Sequence, residues 1–228
     1  MVDQLPLLFE LRDEFSLDSY VRDGNEALCR MMLELPQEPA GQMLWLHAAR
    51  GSGKTHLAQA VVAHLAARGE RVAYLPARRA EAVAALEGLQ QFQLVVIDDA
   101  DHWLNNAATE QALVGLYQEL RAVGGHLLLF AAQPPVGYEY ALPDWGSRCR
   151  GAGVFALQEL NDANKIRVLR ARAERLGLTL DERVGTYLLR HGPRALPDLL
   201  EILDRLDRAA LAEQRQLSVP FTKRVLGL

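Results

Sequence analysis

Residues 48–57 read AARGSGKTHL, after the apolar run MLWLH and before a helical pattern. A glycine-bearing loop between a strand and a helix turns successive backbone N–H groups inward at a helix N-terminus. Amide dipoles and helix end then both favour a polyphosphate. Gly51 and Gly53 allow close backbone approach, Lys54 reaches the terminal phosphates, and the Thr55 hydroxyl can ligate Mg²⁺; Ser52 and His56 complete the candidate nucleotide contacts. The full G-x-x-x-x-G-K-[ST] pattern has a glycine where this chain has Ala48. If that position needs positive φ, an alanine is strained there by roughly 1 kcal/mol or more.

LVVIDDAD, residues 94–101, supplies the complement. An apolar strand delivers Asp98 and Asp99 to its C-terminal end, where ligands of open α/β sheets bind. Asp98 is placed to hold magnesium through water and Asp99 to orient an attacking water. Two adjacent acids can also cap a strand end, but together with an upstream lysine-threonine loop they indicate nucleotide chemistry.

Parallel strands with flanking helices must position these groups. Strand candidates are residues 43–46, 72–75, 94–97 and 127–130, with a weaker one at 154–157. Helical patterns lie near 25–35, 55–68, 80–90 and 107–123. This alternation predicts an α/β fold with a parallel five-stranded sheet. After Leu160 the pattern becomes wholly helical: a helix capped at Asn161 or Asp162 with Gly177 past its end, two more near 181–190 and 195–213, and a short one after Pro220. The expected organisation is an N-terminal peptide over 1–12, a nucleotide-binding core over 13–160 and a small all-helical lid over 161–228.

Composition excludes several classes. The 228-residue chain is 50% hydrophobic and 24% charged, ordinary for a globular protein. Its net charge of -4 lacks the basic excess of a phosphate-tracking surface. The two cysteines, Cys29 and Cys149, have no metal-ligand spacing, which fits a reducing compartment. Arg148 beside Cys149 could lower that thiol's pKa, although a buried, idle thiol is the simpler expectation. No apolar run approaches the roughly 20 residues of a membrane helix, and Asp3 and Gln4 stand where a signal peptide has basic residues. A cytoplasmic protein without membrane partners is expected.

GKTHL (53–57), IDDAD (97–101), ALPDWGSRCRGAG (141–153) and QRQLSVPFTKRVLGL (214–228) together resemble the AAA+ ATPases of the bacterial replication-initiator DnaA group, and most closely its short homologues. The likeness covers nearly the whole chain. It implies an AAA+ P-loop core with a helical lid, ATP or ADP as ligand with Mg²⁺, and a DnaA-type initiator as partner. It also implies that Arg148 is an arginine finger, reaching a nucleotide held by a neighbouring subunit. A permanently charged planar fork suits that role, although pairing with a local acid such as Asp144 is the alternative. Tyr20 and Val21 match the segment that the group folds over adenine, and both could equally be core residues.

Some positions depart from the group. Its fourth strand ends in a polar or acidic sensor, whereas this chain has Phe130, Ala131 and Ala132. The second sensor, an arginine of the lid, falls on Arg194 or, by ungapped matching, on Pro197. Together these changes predict a protein that holds nucleotide, ADP favoured, and hydrolyses ATP weakly alone. The likeness ends at the lid, so no direct sequence-specific DNA binding is expected.

QLPLLF, residues 4–9, resembles the peptide with which many proteins dock on the bacterial sliding clamp, the beta subunit of DNA polymerase III. Gln4 can fix register while Leu5, Leu7, Leu8 and Phe9 fill an apolar groove, worth about 2 kcal/mol per large side chain. The alternative is packing on its own domain or on a sister subunit, in a homodimer or larger oligomer. The expected function is a clamp-bound regulator that stimulates ATP hydrolysis by the initiator; an autonomous AAA+ motor or helicase loader is the competing expectation.

Overall fold

A computed structural model describes residues 11–12, 15–38 and 41–227. The chain divides into two compact units, Met1–Gln158 and Glu159–Leu228. In the first, the elements run α1 (Glu26–Glu34), β1 (Met43–His47), α2 (Lys54–Ala67), β2 (Val72–Pro76), α3 (Ala82–Ala85), β3 (Leu94–Asp98), α4 (Ala107–Ala122), β4 (His126–Ala131), α5 (Pro143–Arg150) and β5 (Gly153–Ala156). The strands form one sheet in the order β2-β3-β4-β1-β5, every neighbouring pair parallel. The five-stranded parallel sheet read from the apolar runs is therefore present.

The strand residues are apolar in continuous runs because helices cover both faces. Trp45, Leu75, Ile97 and Leu129 pack with Leu113, Leu116, Leu120, Trp145 and Cys149 on one side. Leu46, Tyr74, Val96, Leu128 and Phe130 pack with Met32, Leu57, Val61 and Leu65 on the other. Edge strand β5 alone alternates between half-buried and exposed positions.

Two local expectations change. The helix foreseen over 80–90 shrinks to the single turn of α3, because Gly88 takes φ 75° and a 3₁₀ turn, Leu89–Gln91, follows. α5 carried no helical expectation, yet Pro143 starts it and Trp145 and Cys149, one turn apart, anchor it in the core. Gly146 permits that seating, since a Cβ there would lie 2.8 Å from the Tyr140 ring.

The second unit consists of α6 (Asp162–Arg175), α7 (Glu182–His191), α8 (Leu196–Glu213) and α9 (Val219–Leu226). Asn161, Asp181 and Ser218 cap three of them with side-chain oxygens accepting backbone N–H bonds, and Gly177 at φ 75° follows α6. Leu169, Leu188, Leu199, Leu203, Leu206 and Phe221 fill its core. Among the described residues no helix is long and apolar enough to cross a membrane.

Candidate functional site

β1 ends at His47 and releases the chain into a loop that closes at Lys54, the first residue of α2. Gly51 and Gly53 have φ 82° and 92°, the left-handed region that glycine reaches without strain. Ala48 is not among the non-glycine residues with positive φ, which among the described residues are Asp99, Asn105 and Gln214. Its methyl group therefore carries no left-handed strain and is buried under α2. The missing first glycine is accommodated.

Lys54 is buried, and its ammonium donates to the carbonyls of Ala48 at 2.7 Å and Ala49 at 3.0 Å. Burial lowers its pKa; the carboxylates of Asp99, Asp98 and Asp101 act in the opposite sense. The buried Ser52 hydroxyl has no hydrogen-bond partner among the described residues. Such a donor, in a loop at a helix N-terminus, is suited to a phosphate oxygen.

Asp98 ends β3 and is 3% exposed. Its Oδ1 accepts the Asp99 N–H at 3.1 Å and its Oδ2 accepts the Tyr74 hydroxyl at 3.0 Å. Burial raises its pKa and Asp99 adds to this, while hydrogen bonds from Thr55, Tyr74 and the Asp99 amide oppose it. The Thr55 hydroxyl and the Asp98 carboxylate thus face one another across the phosphate loop. Among the described residues no group of three or more His, Cys, Asp or Glu side chains could hold a metal ion. One hydroxyl beside one buried carboxylate fits Mg²⁺, which keeps most of its waters and takes phosphate oxygens. Asp99, at φ 53°, points its Oδ2 to Arg78 Nε at 2.6 Å.

β4 lies between the strands that carry the loop and the acids. Phe130 and Ala131 at its end are fully buried, and Ala132 follows them, so no polar side chain stands there. His56, one residue beyond Thr55, clasps the preceding segment. Phe15 stacks on its ring at 4.8 Å, Tyr20 meets it edge-on at 5.3 Å, and its Nε2 lies 3.1 Å from both Ser19 Oγ and Ser16 O. Tyr20 also approaches the loop, its Cε2 lying 3.4 Å from where a Cβ on Gly53 would be; Val21 is half-buried beside it.

Arg148 is elsewhere. It lines an open groove of about 420 Å³ with Gln42, Met43 and Leu44 at the start of β1, Gly151 to Gly153 leading into β5, and Tyr117 and Arg121 of α4. The phosphate loop leaves the opposite end of β1, and a five-residue strand rises roughly 16 Å. Arg148 Nε donates to Asp144 Oδ2 at 3.0 Å, and its guanidinium carbon lies 6.0 Å from the centre of the Tyr117 ring. Adjacent Cys149 is buried, and burial pushes its thiol up to about 12, so the idle thiol holds. Arg194 is exposed in the turn between α7 and α8, its carbonyl accepting Lys165 Nζ at 2.9 Å, while Pro197 is in the first turn of α8. Gln4, Leu5, Leu7, Leu8 and Phe9 lie outside the described residues.

Three residues with no expected role hold this architecture. Glu110, fully buried, accepts the N–H groups of Asn105, Ala141 and Leu142 at 2.8, 3.2 and 2.7 Å. It thereby ties α4 to the start of α5. Gln59 and Tyr74 form a buried hydrogen-bonded pair behind Asp98. Gln59 and Tyr74 stand in the sequence as a lone amide within the apolar run LAQAVVAHL and a phenol within the strand VAYLP, and Glu110 as an acid in the first turn of α4.

Comparison with known proteins bears on both units. Residues 162–226 match a family model described as Hda, lid domain, and residues 30–87 match one described as Nephrocystin 3, N-terminal. The structure is similar to domain III of the Thermotoga maritima replication initiation protein DnaA, with TM-score 0.82, 17% identity, and 96% of this chain and 98% of that one covered. AMPPCP-bound DnaA from Aquifex aeolicus superposes with TM-score 0.71 at 16% identity, over 90% of this chain and 71% of that one. The Thermotoga maritima RuvB Holliday junction branch migration motor gives TM-score 0.71 at 13% identity, over 93% and 71%. The fold is the AAA+ fold of DnaA and RuvB, with a helical region toward its C-terminal end.

Proposed function

We propose that this chain is an AAA+ regulator of chromosomal replication initiation. It holds an adenine nucleotide, ADP by preference, with magnesium, and presents Arg148 to ATP bound by a DnaA-type initiator. The single observation that carries the proposal is the position of Arg148. A guanidinium at the N-terminal end of β1, in a groove open to solvent, is one strand length away from its own phosphate loop. An arginine so placed acts on a nucleotide brought by another protein, where it neutralises charge on the transferring phosphoryl group.

Within the chain's own site, Ser52, Lys54 and the loop amides bind the phosphates, and Thr55 and Asp98 hold magnesium. Asp99 is the candidate to orient a water, but at the end of β4, Phe130 and Ala131 offer it no polar help. Weak intrinsic hydrolysis follows. The AMPPCP complex of a DnaA with this fold supports nucleotide binding, and the Hda-type lid supports the regulatory branch of that group. Gln4, Leu5, Leu7, Leu8 and Phe9 tether the protein to the DNA-loaded sliding clamp.

The decisive experiment incubates ATP-bound initiator with this protein, DNA-loaded clamp and magnesium, and follows phosphate release. Stimulation by the wild type and none by Arg148→Ala is expected; equal stimulation by the variant would defeat the proposal. Rapid ATP turnover by the protein alone would instead favour an autonomous motor.

A further inference from the structure

Asp98 is the innermost member of a buried hydrogen-bond chain that runs away from the nucleotide loop. Its Oδ2 accepts from the Tyr74 hydroxyl at 3.0 Å, and the Tyr74 oxygen accepts from Gln59 Nε2 at 3.1 Å. Gln59 Oε1 in turn accepts from the backbone N–H of Arg12 at 2.9 Å. Gln59, Tyr74 and Asp98 are 5%, 2% and 3% exposed, so water does not substitute for the links among these three.

Donor and acceptor roles along this chain follow from one end. An ionised carboxylate can only accept, so the phenol must donate to it and must receive from the Gln59 amide. That leaves the Gln59 carbonyl facing outward, where the main chain at residue 12 supplies the matching N–H.

We propose that Tyr74, held by Gln59 and through it by the main chain at residue 12, is a positioning residue that orients the Asp98 carboxylate for magnesium. This rests on reading the loop as a magnesium-nucleotide site. A carboxylate otherwise turns broadly about its last torsion. Here Tyr74 takes one oxygen and the Asp99 amide the other, so the plane of the group is set before any ligand arrives. Partners of this kind, behind a metal-binding carboxylate, change metal affinity by about 10–100-fold when removed.

The test is calorimetric titration of ADP into wild type, Tyr74→Phe, Gln59→Met, Asp98→Asn and the Tyr74→Phe/Asp98→Asn double variant. Each is measured in EDTA and across a magnesium series, with melting in EDTA as the folding control. Tyr74→Phe should raise the magnesium midpoint about 10–100-fold, leave ADP affinity in EDTA unchanged, and add nothing in the Asp98→Asn background. Gln59→Met should move the midpoint the same way, and carries the test if Tyr74→Phe does not fold.

An unchanged midpoint in a folded variant would overturn the proposal. So would an equal loss with and without magnesium, or full additivity with Asp98→Asn, since each marks mere structural support. Wild type that binds ADP in neither condition would overturn the nucleotide reading, and the relay with it.

Discussion

Arg148 and Asp144 are one turn apart on α5, with Nε to Oδ2 at 3.0 Å, and the arginine side chain is 25% exposed against 60% for the acid. The proposed finger is thus parked on its own helix, by the very partner that its sequence neighbourhood had offered as an alternative. An exposed pair of this kind is worth about 0.2–1 kcal/mol, too little to withhold Arg148 from a phosphoryl group. Asp144→Asn should leave the melting temperature unchanged and raise initiator-ATP hydrolysis by up to about five-fold, measured as phosphate release. A fall would show that Asp144 orients the finger.

Arg148→Ala should remove the stimulation altogether, because an arginine finger supplies about 10³–10⁵ in rate. ADP affinity and thermal melting should match the wild type, since the groove is at the opposite end of β1 from the phosphate loop. Parallel melting and calorimetry check this.

Glu110→Ala should destabilise the protein by about 2–3 kcal/mol, because the N–H groups of Asn105, just before α4, and of Ala141 and Leu142, just before α5, lose a buried acceptor. Urea unfolding measures the loss. Arg148 activity should fall with it even under conditions where the variant is folded, because α5 is no longer tied to α4.

The Cys149 thiol, pushed up to about 12 by burial, gives a pH dependence of definite sign. Unfolded, the thiol ionises at about 8.5; folded, it keeps its proton. Between these values the folded state binds more protons, so stability is undiminished below the unfolded value and falls as pH rises. Over pH 9–10 Cys149→Ala should reduce the slope by about 1.4 kcal/mol per pH unit, the limit for one group. Urea midpoints at the two pH values test it.

Alanine at Gln4, or at both Leu8 and Phe9, should abolish capture by immobilised sliding clamp without altering melting or ADP affinity. Capture that survives either change would mean that the peptide over residues 4–9 is not the docking element.

The amino-acid sequence by itself determined the strands, most of the helices and the phosphate loop. Each of these rests on short-range physics: glycines at left-handed positions, polar caps at Asn161, Asp181 and Ser218, and apolar runs long enough for strands buried on both faces. The places of Asp98 at the end of β3 and of Lys54 at the start of α2 were legible for the same reason, since strand ends and helix starts are local. The tertiary structure alone decided which end of β1 receives Arg148, that Ala48 carries no strain, and that Glu110, Gln59 and Tyr74 are polar linchpins rather than an ordinary helix acid, a lone amide and a core ring. Those outcomes depend on partners 15 to 47 residues away along the chain, brought together only when the sheet closes, and no periodicity or spacing encodes a contact of that range.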